Sequence, residues 1–274
     1  MVGQVKSVKT VLKQLQQSIQ TITSAGWPTD EEVLAASNAF DAFQWLSKDH
    51  LCILVYLVTV MHSMQAGYMD KAQKYTDKAV AQIDKLRANF DTNPILSSFH
   101  VLLLEHTVQC RLVTGNKGGS MEAVKNLCQL FNKSSPRLLV RHRAQLHTML
   151  GLYAMSMNCM QEAENQLNAA LRVSKFGIII SDPSTLLKQR QHIIRLTFKN
   201  TISLQTSQER ELWTFANLNL AIVYVRTRRE TDFMALLDRI SPDRLPSQSH
   251  SLQAAAYYIQ GLQAFFAAKY NDAK

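Results

Sequence analysis

Leu150-Gly151, Ala163, Leu167 and Ala170 lie within residues 145–172, QLHTMLGLYAMSMNCMQEAENQLNAALR, at a spacing that leaves the chain few folds. A glycine lets one helix approach its neighbour closely, and alanines at 163 and 170 keep the facing helix's packing surface small. Leu167 fills the space between them. The pattern predicts two antiparallel helices closed into a hairpin. One such hairpin cannot bury its own apolar surface, so others of the same kind must stack against it.

This small/large spacing is that of one tetratricopeptide repeat, and the rest of the chain supplies its neighbours. Residues 51–65 and 70–90 read as a second hairpin around Gly67, with Ala79 seven residues after Ala72 just as Ala170 follows Ala163. Residues 95–114 and 121–131 form a third around Gly115-Asn116-Lys117-Gly118-Gly119. That loop is not a phosphate cradle, because a P-loop needs GxxxxGK[ST] and here Ser120-Met121 follow Gly119. It reads as a slightly lengthened turn. Residues 211–226 and 230–240 give another hairpin, and 251–267 a further first helix. An amphipathic helix opens the chain (Val5, Val8, Leu12, Leu15, Ile19, Ile22), and Thr29 with Glu32 reads as a capping box for a short helix to about Leu46. Few glycines and prolines and rare strand-like alternation make the class all-α. The expected architecture is a TPR-type α-solenoid of antiparallel hairpins over residues 1–274, truncated at both ends, since natural ends would carry polar caps.

One stretch breaks the pattern. With repeats of about 34 residues, the next small first-helix position should follow Ala163 by about 22 residues. The best candidate, Ala221, is 58 residues on. The excess lies in residues 173–205, which contain no Ala and no Glu and whose isoleucines cluster without period. Val173-Ser174 can be encoded by a splice-donor-like string and Gln205 by an acceptor-like one. The segment therefore reads as a non-native insertion, a translated intron, with a genuine long loop as the alternative. It also carries five Lys/Arg against one Asp, so much of the net charge of +9 resides there. The remainder is an ordinary surface charge, which discounts nucleic-acid binding by direct contact.

The four cysteines (Cys52, Cys110, Cys128, Cys159) have no CxxC spacing and fall in helical apolar patterns, so they read as buried reduced thiols of an intracellular protein. No signal peptide is visible, and the longest apolar run, 51–61, is too short to cross a bilayer. No catalytic constellation emerges. His106 and Cys110 stand four apart, but two ligands make no zinc site, and His142 and His147 lack triad partners. No cofactor or metal is expected.

Several long strings are more specific than a repeat consensus. Residues 3–9 with 12–17, LVYLVTVMHSMQAGYMDKAQKYTDKA (54–79), PILSSF (94–99), LLEHTVQCRLVTGNK (103–117), QLHTMLGLY (145–153) and ELWTFANLNLAIVYVR (211–226) resemble the TPR subunit of the cohesin loader. The resemblance covers nearly all of 3–172 and 206–274. It implies a nuclear, chromatin-associated scaffold that embraces the extended N-terminal segment of the large Nipped-B-type (delangin) subunit. Cohesin and chromatin would be engaged indirectly, with sister-chromatid cohesion as the outcome and no membrane or small-molecule substrate. The family's N-terminal and last repeats are absent here, and 173–205 has no counterpart.

TPR grooves use first-helix positions near the glycine. In this chain these are Met61, Met64, Gln65, Gln145, Thr148, Leu152, Met155, Phe215, Leu218, Arg226, Tyr258 and Phe265. Thioethers and aromatics bury area while adapting to a partner's shape. Arg137, Arg141 and Arg143 form a basic patch after Pro136. The rival is a generic TPR adaptor that clamps acidic tails. It would need several cations at the groove positions, and Arg226 alone does not supply them.

Overall fold

A computed structural model describes residues 5–23, 32, 46–88, 94–174, 199–245 and 250–268. The side chains of 5–7, 22–23, 137, 199–208 and 244 lie outside that description, as do 175–198 and most of the short helix expected between Thr29 and Leu46. The described residues are helical, with ten α-helices and no strand among them. They are α1 (Val5–Thr23), α2 (Lys48–Gln65), α3 (Met69–Ala88), α4 (Pro94–Val113), α5 (Lys117–Lys133), α6 (Pro136–Ser156), α7 (Met160–Val173), α8 (Lys199–Arg226), α9 (Glu230–Leu237) and α10 (His250–Phe266). The chain divides into two compact units, residues 3–135 and 136–274. The architecture is the expected all-α helical repeat.

Four hairpins share one turn. A residue with positive φ follows each first helix: Gly67 (78°), Gly115 (75°), Asn158 (62°) and Arg228 (57°). The next residue's N–H reaches back five positions to a carbonyl of the ending helix. These bonds are Tyr68 to Ser63 (2.8 Å), Asn116 to Arg111 (2.8 Å), Cys159 to Ala154 (2.9 Å) and Arg229 to Tyr224 (2.9 Å). This reversal satisfies carbonyls that a helix end leaves unpaired. Glycine adopts it freely, whereas an ordinary L-residue such as Arg228 bears about 1–2 kcal/mol of strain.

Counting from that turn residue reproduces the repeat. Seven positions before it stand Val60, Val108, Gly151 and Ala221, all buried. Five after it stand Ala72, Ser120, Ala163 and Phe233, and twelve after it Ala79, Leu127, Ala170 and Ile240, none more than 2% exposed. The glycine loop departs from expectation. It is no lengthened turn, because Lys117-Gly118-Gly119 already form the first turn of α5. Asn116 caps that helix, its Oδ1 accepting from the Gly119 N–H at 2.8 Å.

In the first unit, α2, α3 and α4 share one core of Ile53, Leu57, Val60, Ala72, Ala79, Ile83, Leu96, Phe99 and Leu103. The small α1 interface adds Ile19 against Cys52 and Val55, and Gln16 Nε2 donates to Thr59 Oγ1 at 2.8 Å. Between α3 and α4, Arg87 Nη1 lies 3.0 Å from His100 Nδ1. A guanidinium can only donate, so the imidazole accepts and must be neutral. Burial and the nearby Arg87 charge, partly opposed by Asp84, push the His100 pKa down to about 4.

In the second unit a single core runs from α6 to α10, through Ala163, Leu167, Ala216, Leu220, Ala221, Phe233, Ile240, Ala256 and Ile259. Gly151 performs the role expected of it: a Cβ there would stand 2.8 Å from Leu167 Cγ and 3.0 Å from its Cδ2. Arg229 ties the hairpins together. Its Nη1 reaches Glu164 Oε2 of α7 at 2.6 Å, its Nε reaches Asp232 Oδ2 at 2.7 Å, and its guanidinium lies over the Tyr224 ring at 4.7 Å. The 173–205 segment is not irregular throughout. Val173 ends α7, and Lys199–Arg226 is one continuous helix across the 205–206 junction. Propagating a helix that has already nucleated costs little, even where side-chain periodicity is weak.

Gly151→Val should lower stability by about 1–3 kcal/mol through overpacking against Leu167. Gly118→Ala, with no atom within 4 Å of its added carbon, should leave stability unchanged or raise it; denaturant midpoints measure both. For His100, the unfolded chain binds more protons than the folded one between its folded value of about 4 and its ordinary 6.5. Its contribution to stability should therefore be complete above 6.5 and decline as pH falls toward 4. Denaturation midpoints should show this decline, and His100→Gln should flatten it.

Candidate functional site

The same register sorts the first-helix residues into packed and presented ones. Six positions before the turn residue stand Met61, Gln109, Leu152 and Ile222. Three before it stand Met64, Leu112, Met155 and Val225, and thirteen before it Leu54, Leu102, Gln145 and Phe215. All twelve are half-buried. In α10, counting from Ala268 (φ 58°), the same positions hold Leu262, Phe265 and Ala255. Phe265 is 54% exposed. Each first helix thus carries a repeated, mostly apolar line whose side chains are rooted in the core and open on one side.

Ten positions before the turn, the residues behave differently. Leu57, Glu105, Thr148 and Leu218 are buried, at 3%, 7%, 0% and 3% exposure, whereas Tyr258 is 66% exposed. At two of them the following first helix shares the core: Leu57 clusters with Leu96, Phe99 and Leu103 of α4, and Leu218 with Ala256 and Ile259 of α10. Thr148 and Leu218 were expected to face a partner, and here they are packing residues. Thr148 Oγ1 is also committed to the Ala144 carbonyl at 2.8 Å, and Leu218 belongs to the second unit's core. Tyr258 occupies the same position on α10, which has no successor among the described residues.

Among the other expected residues, Met61, Met64, Gln145, Leu152, Met155 and Phe215 lie on the half-open line, and Gln65 is exposed beside it. Arg226 is exposed, and its Nη2 contacts Asn158 Oδ1 of the preceding turn at 3.4 Å. Arg141 and Arg143 are exposed on α6, while the Arg137 side chain is outside the described part. The sequence reading missed the whole line on α4: Leu102, Gln109 and Leu112. The signal was present, because Gly115 marks the turn from which they count.

Electrostatically this line is nearly neutral. Around it, burial pushes the thiols of Cys52, Cys110 and Cys128 up, which keeps them protonated, and the Tyr56 hydroxyl is pushed up to about 12 by burial and its Cys52 hydrogen bond. All four cysteines are free, but Cys159 is exposed at the start of α7, not buried as its pattern suggested. His106 and Cys110 do not converge. His106 Nδ1 bonds the Leu102 carbonyl at 2.7 Å, and Cys110 Sγ lies 3.8 Å from the Met69 carbonyl. His147 Nδ1 pairs with Gln166 Oε1 at 2.8 Å between α6 and α7. Among the described residues no helix is long and apolar enough to cross a membrane, and no group of three or more His, Cys, Asp or Glu is placed to hold a metal ion. What the described first helices present is the repeated, mostly apolar line.

Comparison with known proteins gives this arrangement a family. A family model described as cohesin loading factor matches residues 1–274. The chain is 45% identical over 276 residues to the MAU2 chromatid cohesion factor homolog of Aedes aegypti, covering 99% of this chain and 38% of that protein. The homologs of Drosophila melanogaster and Drosophila ananassae are also 45% identical over 99% of this chain, which covers 38% and 37% of them. The chain therefore spans little more than a third of the length of these curated relatives. No solved structure matches it. Because that family model matches residues 1–274, this chain belongs to the cohesin loading factor family.

Proposed function

We propose that the chain is a non-enzymatic scaffold within a cohesin loader, acting in the nucleus at chromatin. In this reading its first helices hold the extended N-terminal segment of the Nipped-B-type subunit and so support cohesin loading and sister-chromatid cohesion. The observation that carries this reading is the half-open line repeated on each first helix, apolar or amide-bearing at nearly every position. Packed helices lie about 8–10 Å apart. An extended strand rises about 3.3 Å per residue, so roughly three partner residues pass each first helix. Flexible Met61, Met64 and Met155 beside rigid Phe215 suit a segment read for shape rather than charge.

The rival adaptor for acidic tails has less support. Its carboxylate clamps need several free cations on this line, and Arg226 beside it already contacts Asn158. Residues 173–205 are read as an insertion, either loop or translated intron. Transcript sequence decides which: a message that joins codons 172 and 206 marks an intron.

Binding of a labelled Nipped-B N-terminal segment, followed by fluorescence anisotropy, tests the scaffold reading. Leu102→Asp and Leu152→Asp should each weaken binding at least about tenfold, equivalent to about 1.4 kcal/mol, at a temperature where circular dichroism shows both variants still folded. Leu218→Ala should instead destabilise the fold by about 2–5 kcal/mol. Unchanged affinity in both aspartate variants would defeat the reading.

A further inference from the structure

We propose that Thr231 is a phosphate-acceptor site for a basophilic protein kinase, of the kind that reads an arginine three residues before its acceptor. Arg228-Arg229-Glu230-Thr231 has that spacing. So do Arg111–Thr114 and Arg244–Ser247, the last with its serine outside the described residues. The structure separates the first two. Thr114 Oγ1 donates to the Cys110 carbonyl at 3.0 Å, and Arg111 Nη1 is held 2.6 Å from the Gly119 carbonyl and 3.7 Å from Glu122. Arg228 and Thr231 are both exposed, and neither side chain has a hydrogen bond or ion pair among the described residues. The arginine that a kinase would grip and the hydroxyl that it would modify are both available.

Opening the backbone there unwinds one turn at the start of α9. Arg228 sits in the left-handed region at φ 57°. Thr231 is the second residue of α9, within the turn whose N–H groups have no partner inside the helix. Drawing 228–231 into the extended form that a kinase cleft requires breaks the Arg228–Val225, Arg229–Tyr224 and Phe233–Arg229 backbone bonds, the Arg229 side-chain contacts and the first turn of α9. In the transfer, Thr231 Oγ1 attacks the γ-phosphorus of ATP and forms an O–P bond. The bond from that phosphorus to the β–γ bridging oxygen breaks, ADP leaves with the electron pair, and the hydroxyl proton passes to a carboxylate of the kinase.

The consequence lies in the neighbouring ion pairs. A phosphate carries about −1.5 to −2 charges. Two residues from Arg229, it competes with Glu164 of α7 and Asp232 for the same guanidinium. Modification therefore loosens the tie between α7 and the α8–α9 turn. This inference does not depend on the identity of the bound partner.

The test incubates the full chain with a purified kinase selective for Arg-x-x-Ser/Thr and labelled ATP, with sites mapped by mass spectrometry. Label is expected on Thr231 and not on Thr114, lost in Thr231→Ala and retained in Thr231→Ser. Arg228→Ala should slow labelling about tenfold, the loss of one charge-assisted hydrogen bond. An unlabelled Thr231 in the folded chain overturns the proposal, and so does labelling that Arg228→Ala leaves unchanged.

Discussion

The backward hydrogen bond from Tyr68 to the Ser63 carbonyl, with its counterparts at Asn116, Cys159 and Arg229, is the constraint from which the rest follows. It reverses the chain over a fixed number of residues, so the rotation of the second helix relative to the first is set before any side chain packs. Only then do Ala72, Ser120, Ala163 and Phe233 fall on one buried position. Side-chain size at that position varies from alanine to phenylalanine. Its place in the count does not.

That ordering explains which features were legible from sequence. Gly67, Gly151, Ala163 and Ala170 announce two hairpins because small residues there have a direct steric purpose. Phe233 and Ile240 occupy the same register without small side chains, so spacing, not residue type, identifies their hairpin. The start of α8 at Lys199 could not be read from periodicity, since helix propagation tolerates a weak pattern. Cys159 misled for a related reason: it continues an apolar run in sequence, but the left-handed Asn158 just before it turns the chain to the surface.

Burial divides the expected surface residues into two layers. Thr148 and Leu218 share a helix face with Leu152 and Phe215, and a single helix offers no sign of which neighbour covers which part of that face. The next first helix decides it, and that packing is a tertiary fact. Tyr258 shows the same position without such a neighbour among the described residues. The α4 line was missed although Gly115 marks its register just as Gly67 marks that of α2.

The connections within hairpins are uniform, whereas those between hairpins differ widely: α3 to α4 and α5 to α6 are short, α7 to α8 is long, and α9 to α10 includes a 3-10 turn at Pro242–Arg244. Length is thus free in one class of joint and forbidden in the other. Such a chain can acquire extra sequence without reworking its core, provided that it arrives after a second helix and before the next first one. The same rule makes these joints the places to graft a reporter domain, and the left-handed turns the places to leave alone.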